Sequence, residues 1–339
     1  MASSREESEL LAAIWARPDD DAPRLVYADW LMEQQNPRGE FIRLQCEATA
    51  LHDGHPRKLE FERRAAALLH PNRLAWCPPG NPAFEWRFVR GFPASVKLAA
   101  PALKEASSAL QAVPSLEGLE LNFNGVSEPL GEVWSRVFSD PIFERLRALR
   151  LTWHVPQVVV RHLSEQPWLS RLVALQLSWV SLRDEAWKAL GATATLRTLE
   201  TLDLGLSGAT DEALEALAGL PWPRLSRLAL SSNQLGTRAC EALSKQGTWP
   251  ALESLDLSRN RIGKQGGAAL ARAEWLASLR TLDLSHDQVG DETCAALAAA
   301  KPGKLQWLGL AQSRVTEAGF DLLRRALPNV TIHSSPHFS

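Results

Sequence analysis

The segment Leu252-Glu-Ser-Leu-Asp-Leu-Ser-Arg-Asn-Arg-Ile262 carries the pattern that decides the fold, which is Leu-x-x-Leu-x-Leu. The pattern occurs eight times at intervals of about 27 residues, and a fixed period of this size indicates stacked repeats. The first leucines of the eight copies are Leu116, Leu146, Leu172, Leu199, Leu225, Leu252, Leu279 and Leu305. A stacked array usually presents an extended binding surface and no catalytic pocket.

Each repeat divides into two halves. The Leu-x-x-Leu-x-Leu half predicts a short strand whose fourth and sixth residues point inward, because side chains alternate along a strand. The second half predicts a helix, as in residues 210–217 and 237–243, where Thr210 and Thr237 suit the N-cap. A degenerate strand at Val96 and Leu98 and a last strand at 330–332 bring the expected number of parallel strands to ten.

Residues 116–332 resemble the ribonuclease-inhibitor-like class of leucine-rich repeats, and the helical second halves and the consensus at 252–262 carry this likeness. The resemblance implies an α/β leucine-rich repeat solenoid shaped as a horseshoe, with parallel strands on the concave face and helices on the convex face. Asparagine at the ninth position, which normally bonds backbone groups after the strand, remains at Asn124, Asn233 and Asn260. The repeats that lack it carry His154, Val180, Ser207, Asp287 and Ser313. Local irregularity is therefore expected in the second to fourth repeats.

The segment before the repeats has the apolar spacing of a small all-helical domain. Asp20-Asp-Ala-Pro-Arg-Leu-Val-Tyr-Ala-Asp-Trp-Leu31 and Pro37-Arg-Gly-Glu-Phe-Ile-Arg-Leu-Gln45 are similar to a short repeat-companion domain. That domain precedes leucine-rich repeats in bacterial proteins, so the resemblance implies a bacterial intracellular protein. It brings no established biochemical activity.

Prolines at positions 78, 79 and 82 mark a linker, because proline does not continue a helix. The sequence therefore predicts a helical repeat-companion-like domain at 1–76, a Pro/Gly linker at 77–83 and a leucine-rich repeat domain at 84–339. Within the repeat domain we expect a capping repeat at 84–115, eight repeats at 116–326 and a C-terminal cap at 327–339.

Composition and motifs argue against several classes of function. The 339 residues include 37 basic and 39 acidic side chains without a Lys/Arg-rich block, so we expect no nucleic-acid partner. No apolar run approaches the ~20 residues of a membrane span, and the N-terminus lacks the order of a secretion signal, so a cytoplasmic location is expected. Cys240 and Cys294 share one repeat position, which indicates small buried apolar residues.

The sequence predicts neither an enzyme nor a cofactor or metal site. It contains no His-Glu-x-x-His segment, no Gly-Lys-Ser/Thr phosphate loop and no Gly-x-Ser-x-Gly elbow. His52-Asp-Gly-His55, near Cys46, offers ligand types without a recognised spacing, so a solvated loop is the better interpretation.

Large apolar side chains recur at the eighth position of the first four repeats. They are Phe123, Trp153, Trp179 and Leu206. Because aromatic residues dominate binding hot spots, this column predicts an apolar ridge at the concave rim. The alternative is that these side chains fold back to fill the space left by the missing asparagines. Further along, the column becomes polar at Arg259 and His286.

The fifth position carries an acidic column at Asp203, Asp256 and Asp283. Strands in a sheet lie ~4.8 Å apart, so like charges here are unfavourable in the free protein. One interpretation is an acidic stripe awaiting a basic partner. The other is ordinary repeat consensus, with Ser258 and Ser285 screening the carboxylates.

These patterns predict a non-enzymatic scaffold, adaptor or regulator that binds a protein through the concave face and rim of the horseshoe. The expected contact residues are Phe123, Trp153, Trp179, Leu206, Asp203, Asp256, Asp283, Arg259 and His286. The alternative is a regulator of a small GTPase that contributes an arginine to hydrolysis, for which Arg150 and Arg259 are candidates.

Overall fold

In the computed structural model the chain forms two compact units, Met1–Glu120 and Leu121–Ser339. The residues that the structure describes are 2–51, 55–78, 81, 83–126, 131–180, 182, 186–187, 189–190, 194–245 and 249–334. The chain passes from the first unit to the second within a strand and not in the expected linker at 77–83. The domain limits drawn from the sequence therefore stay a prediction.

The first unit contains four N-terminal helices, followed by a hairpin and a fifth helix. These elements are α1 (Ala2–Ala16), α2 (Ala22–Glu33), α3 (Pro37–Thr49), α4 (Pro56–Trp76), β1 (Glu85–Val89), β2 (Phe92–Ala99) and α5 (Leu103–Gln111). Proline opens α3 and α4, because a first-turn residue needs no intrahelical N–H bond. The core of this unit includes Ile14, Tyr27 and Ile42, and the Tyr27 hydroxyl donates to Glu7 Oε1 at 2.8 Å.

At this end of the array the structure adds a strand to the ten that the sequence predicts. The strand with Val96 and Leu98 is present as β2, but β1 pairs with it antiparallel, which makes eleven strands among the described residues. The connecting residues Arg90 and Gly91 have φ angles of 50° and 85°. Two left-handed residues in a two-residue loop match the twist of a tight hairpin. A side chain at Gly91 would also clash with Ile42, so glycine is required there.

The second unit repeats a strand and a helix. The chain enters it within β3 (Gly118–Asn122), and β4 to β11 then pair in parallel in chain order. These strands are β4 (Ala148–Thr152), β5 (Ala174–Ser178), β6 (Thr201–Asp203), β7 (Arg227–Ala229), β8 (Ser254–Asp256), β9 (Thr281–Asp283), β10 (Trp307–Gly309) and β11 (Thr331–His333). The helices between them are α6 (Gly131–Phe138), α7 (Gln157–Ser164), α8 (Asp211–Ala218), α9 (Thr237–Leu243), α10 (Gly263–Leu270), α11 (Asp291–Ala300) and α12 (Glu317–Ala326). The expected α/β repeat architecture is confirmed.

The pairing register places equivalent leucines side by side. Leu202, Leu228, Leu255, Leu282 and Leu308 form one row across five strands, and all are buried. Each repeat buries its fourth and sixth residues against the next repeat, as the alternation predicts. We call the other side of the sheet, formed by the third, fifth and seventh residues, the open face.

Tryptophan side chains on the helical side of the repeats form hydrogen bonds at the C-terminal ends of helices. The indole N–H groups of Trp168, Trp222 and Trp275 donate to backbone carbonyls at 3.0, 2.8 and 2.8 Å. Their acceptors are Phe138, Leu217 and Leu243, near helix C-termini that otherwise lack a partner within the helix.

A polar ladder, defined here as Asn233, Asn260 and Asp287, runs through the turns after three successive strands. Asn260 Oδ1 accepts the N–H groups of Asn233 and Leu235 at 3.1 Å each. Its Nδ2 donates to the carbonyls of Leu230 and Leu257. Each ladder residue therefore closes the turn of the preceding repeat, and Asn124, which is exposed, takes no part.

Asp287 occupies the ladder position of the seventh repeat with a carboxyl in place of an amide. Its Oδ1 accepts the Asn260 N–H at 2.7 Å, while its buried Oδ2 has no hydrogen-bond partner. Burial raises the pKa of Asp287 to about 8. The missing asparagine at this position is therefore replaced by a side chain of the same shape that needs a proton to act as a donor.

The four cysteines are free, and Cys46, Cys240 and Cys294 are buried as small apolar residues. Burial raises the pKa of Cys46 and of Cys294 to about 12 each, so neither forms a thiolate at neutral pH. Cys77 is half-buried.

We expect a water-soluble aromatic disulfide reagent to label Cys77 first in the native protein. A first labelling phase that persists in Cys77→Ser would contradict this.

No helix built from the described residues is both long enough and apolar enough to cross a bilayer.

Candidate functional site

The backbone at the eighth position decides where the side chains of this column point. Strand alternation would send an eighth residue inward with the fourth and sixth. Trp153, Trp179 and Leu206 instead have φ angles of 65°, 62° and 54°, in the left-handed region. The N–H groups of Trp179 and Leu206 still donate to the next repeat, at 3.2 and 2.9 Å. The left-handed residue thus continues the hydrogen-bond ladder and turns its side chain outward.

Phe123 is an exception, and the expectation that it is exposed is wrong. Its φ is not left-handed, and the first left-handed residue after this strand is Gly125, two positions later, with a φ of 76°. Phe123 therefore keeps the alternation of the strand and is only 1% exposed. Its ring packs against Trp134, with 4.8 Å between the ring centroids.

Trp153, Trp179 and Leu206 form an exposed apolar patch, which we call the Trp ridge. Their exposed fractions are 42%, 49% and 40%. The two indoles stack with 5.1 Å between their centroids and 19° between their planes. These three side chains do not fold back into the turns that lack asparagine.

Small residues lie beside the ridge at the seventh position. In the second to fourth repeats they are Thr152, Ser178 and Gly205, all buried. Ser178 Oγ accepts a hydrogen bond from Gln176 Nε2 at 2.7 Å, whereas the buried Thr152 Oγ1 has no hydrogen-bond partner. The later repeats continue this row with Ser231, Ser258, Ser285 and Ala311. Because these side chains are short, they project less far from the sheet than the longer side chains at the fifth and eighth positions.

The acidic column lies on the open face, as expected. The register pairs Asp256 directly with Asp283, and all three carboxylates are half-buried. In each of Asp203, Asp256 and Asp283, Oδ1 accepts the backbone N–H two residues later at 2.9 Å. Backbone amides therefore stabilise the carboxylates, and no serine hydroxyl is needed for that role.

The acidic column keeps unused hydrogen-bonding capacity. Burial raises the pKa of Asp203, while Arg150 and the Gly205 N–H oppose that shift. Among the described residues no salt bridge involves any of the three carboxylates. Each has one oxygen that no backbone amide occupies.

The polar end of the eighth-position column is exposed, as predicted. Arg259 and His286 have left-handed φ angles of 60° and 63° and point outward in the same way as the tryptophans. Arg150 is also exposed. Nothing in its surroundings or those of Arg259 distinguishes either side chain from the other exposed arginines, so no observation favours a GTPase regulator. Trp307, at a third position, stacks on His333 of the last strand at 6.2 Å.

The described residues contain no group of three or more His, Cys, Asp and Glu side chains placed to hold a metal ion. The segment from His52 to His55 contains possible metal ligands. In that segment, His52, Asp53 and Gly54 lie outside the described residues.

Comparison with known proteins supports the repeat assignment. Residues 195–218 and 250–271 match the family model described as Leucine Rich repeat. The chain contains leucine-rich repeats. No curated protein matches the sequence. Among solved structures, the chain is similar to one in the crystal structure of the Rad7 and Elc1 complex in yeast, at 18% identity and a TM-score of 0.47. The similarity covers 73% of this chain and 72% of that chain.

Proposed function

We propose that these leucine-rich repeats are a non-enzymatic protein-interaction module, serving as a scaffold, adaptor or regulator. In this proposal the repeats form a horseshoe of the ribonuclease-inhibitor-like class, and the partner binds its concave face and rim. The single observation that carries the proposal is the Trp ridge, a set of large apolar side chains exposed in three successive repeats. The similarity of residues 20–45 to a repeat-companion domain supports a bacterial, cytoplasmic protein with a helical domain at 1–76.

The backbone supports a functional reason for the ridge. A bulky residue in the left-handed region lowers the stability of the folded chain by about 1–2 kcal/mol relative to glycine. An exposed indole does not offset this cost, because its apolar surface stays in water. Trp153, Trp179 and Leu206 all occupy such positions. The repeat itself maintains this conformation, because Ser232, Arg259, His286 and Gln312 share it at the eighth position. What distinguishes the ridge is that it places large apolar side chains where smaller or polar ones serve in the later repeats.

The stacked indoles are also suited to binding. A side chain that is already ordered loses little rotamer freedom when a partner covers it, so more of the buried apolar area contributes to affinity. Trp153 and Trp179 hold each other in one arrangement. Tryptophan is one of the residue types that are enriched at the hot spots of protein interfaces.

Trp153→Ala combined with Trp179→Ala is expected to weaken partner binding by at least about tenfold, the effect of losing one hot-spot residue. Thermal stability should change little, because the stack itself contributes only about 0.5–1.5 kcal/mol. The partner is first isolated by affinity purification from the native cell and identified by mass spectrometry. Calorimetric titration and thermal unfolding of both proteins then provide the measurements.

Phe123→Ala is the matched control, since Phe123 has the same repeat position and a buried side chain. It should lower the melting temperature clearly. Unchanged partner binding by the double tryptophan variant, or a melting temperature as low as that of Phe123→Ala, would contradict the proposed function.

A further inference from the structure

We propose that the eighth-position and fifth-position side chains flank one groove along the open face, with the Trp ridge on one wall in repeats two to four and the acidic column on the other wall in repeats four to seven. We propose further that its occupant is an amphipathic α-helix of the partner. The helix would be apolar where it meets the ridge and rich in lysine or arginine where it meets the acidic column. This inference rests on the proposed function and specifies the kind of segment that binds.

The width of the groove fits a helix. Its walls are the eighth-position and fifth-position columns, three residues apart along the chain, which is about 10 Å at ~3.3 Å per residue. The fourth repeat carries both walls as Leu206 and Asp203, whereas opposite Trp153 and Trp179 the fifth position carries Arg150 and Gln176. An α-helix with its side chains is about 10–12 Å across. The seventh-position residues Thr152, Ser178 and Gly205 form a floor of short side chains between the walls. A helix can therefore approach the sheet closely.

The repeat spacing also fits a helix that lies across the strands. The indole centroids of Trp153 and Trp179 are 5.1 Å apart. One helical turn rises about 5.4 Å, so each turn would meet one repeat, and residues at i, i+4 and i+7 would contact successive ridge residues. An extended segment presents same-face side chains every ~6.6 Å, so after two repeats its side chains no longer lie opposite the ridge residues. A polyproline segment repeats every ~9.3 Å and would contact only alternate repeats.

Charge determines the chemistry of the helix. Asp203, Asp256 and Asp283 each retain a carboxylate oxygen that no backbone amide occupies, so lysine or arginine side chains can pair with them. On the opposite wall at this end, Arg259 and His286 are exposed and favour acidic residues on the other flank of the helix. Complementary charges on both flanks set the register and orientation of a bound segment.

The length of the helix follows from the repeats involved. From Trp153 in the second repeat to His286 in the seventh there are five strand intervals, or about 24 Å at ~4.8 Å each. A helix that spans this distance has about 16 residues. Its apolar half would cover repeats two to four, and its charged half repeats four to seven.

The test uses the full chain as bait for two phage-displayed libraries of equal diversity. One library presents an 18-residue helical scaffold randomised on one face, and the other presents linear proline-rich peptides. We expect enrichment in the helical library of binders with apolar residues at i and i+4 followed by Lys or Arg. Their affinity should fall at least about tenfold with Trp153→Ala/Trp179→Ala and with Asp256→Asn/Asp283→Asn.

The asparagine substitutions keep the Oδ1 acceptor, so they are expected to fold normally. Glu253→Gln/Glu292→Gln removes the same charge from exposed side chains that pair with Arg280 and Lys264, and should leave binding unchanged. The proposal of a bound helix would be overturned if only proline-rich peptides were enriched or if neither library were enriched. It would also be overturned if neither groove variant changed the affinity of the helical binders. If the native partner still requires the tryptophans in that case, the proposed function stands without it.

Discussion

Asp287→Asn is expected to raise the stability of the repeats increasingly as the pH rises from about 4 to about 8. Asparagine at this position can donate to carbonyls, as Asn260 Nδ2 does to Leu230 and Leu257, whereas ionised Asp287 cannot. The folded chain holds a proton on Asp287, whose pKa burial raises to about 8. The unfolded chain releases that proton near pH 4.

The sign follows from this difference in proton binding. Between the two pKa values the folded state binds more protons than the unfolded state, so the wild-type stability contributed by this group falls by about 1.4 kcal/mol per pH unit. The asparagine variant does not titrate and escapes that loss. The advantage of the variant is therefore smallest near pH 4 and largest near pH 8.

Thermal unfolding of both proteins at intervals of one pH unit measures this effect. Asp321→Asn, at an exposed position on α12, controls for the general loss of one carboxylate. A gain that does not depend on pH would show that Asp287 is not the titrating group. A loss of stability at pH 8 would show that the buried oxygen has a donor.

Asn260→Ala is expected to destabilise the repeats by about 3–5 kcal/mol, because it leaves buried donors and acceptors without partners. The groups that lose their partner are the N–H groups of Asn233 and Leu235 and the carbonyl of Leu257, whereas the Leu230 carbonyl still accepts from Asn233 Nδ2. At roughly 2–4 °C per kcal/mol for a unit of this size, the melting temperature should fall by about 10 °C.

Asn124→Ala is the matched control, since Asn124 occupies the same ninth position in the first repeat and is exposed. It should change stability by no more than about 0.5 kcal/mol. Equal losses from the two substitutions would mean that the ladder does not carry the stability assigned to it.

The regular part of the fold follows from the sequence because its cause is local. Each Leu-x-x-Leu-x-Leu segment can bury its leucines only by stacking on a copy of itself, so periodicity alone predicts the strands and helices. The β1–β2 hairpin lies outside that periodicity. Its signal was the pair Arg90-Gly91 between alternating apolar residues, which predicts a tight turn and not a further parallel strand.

The candidate site likewise has some features that the repeat period predicts and others that it does not. The position of Trp153, Trp179 and Leu206 follows from the repeat, but their outward direction depends on a left-handed backbone that composition does not reveal. Gly125, two residues after Phe123, does not separate Phe123 from them, because the fourth repeat has the left-handed Gly208 at the same position and still exposes Leu206. The role of Asp287 depends on backbone groups of the preceding repeat, so no single repeat predicts it.

The ladder makes the array directional. Asn233 accepts from Ser207 and Ala209 of the repeat before it, and Asn260 accepts from Asn233 and Leu235 in the same sense. Shortening the chain from its C-terminal side therefore strips donors of their acceptor in the last surviving turn, whereas shortening it from the other side leaves the remaining turns closed. We therefore expect fraying in this region to begin at the C-terminal side of the array and to advance toward its N-terminal side.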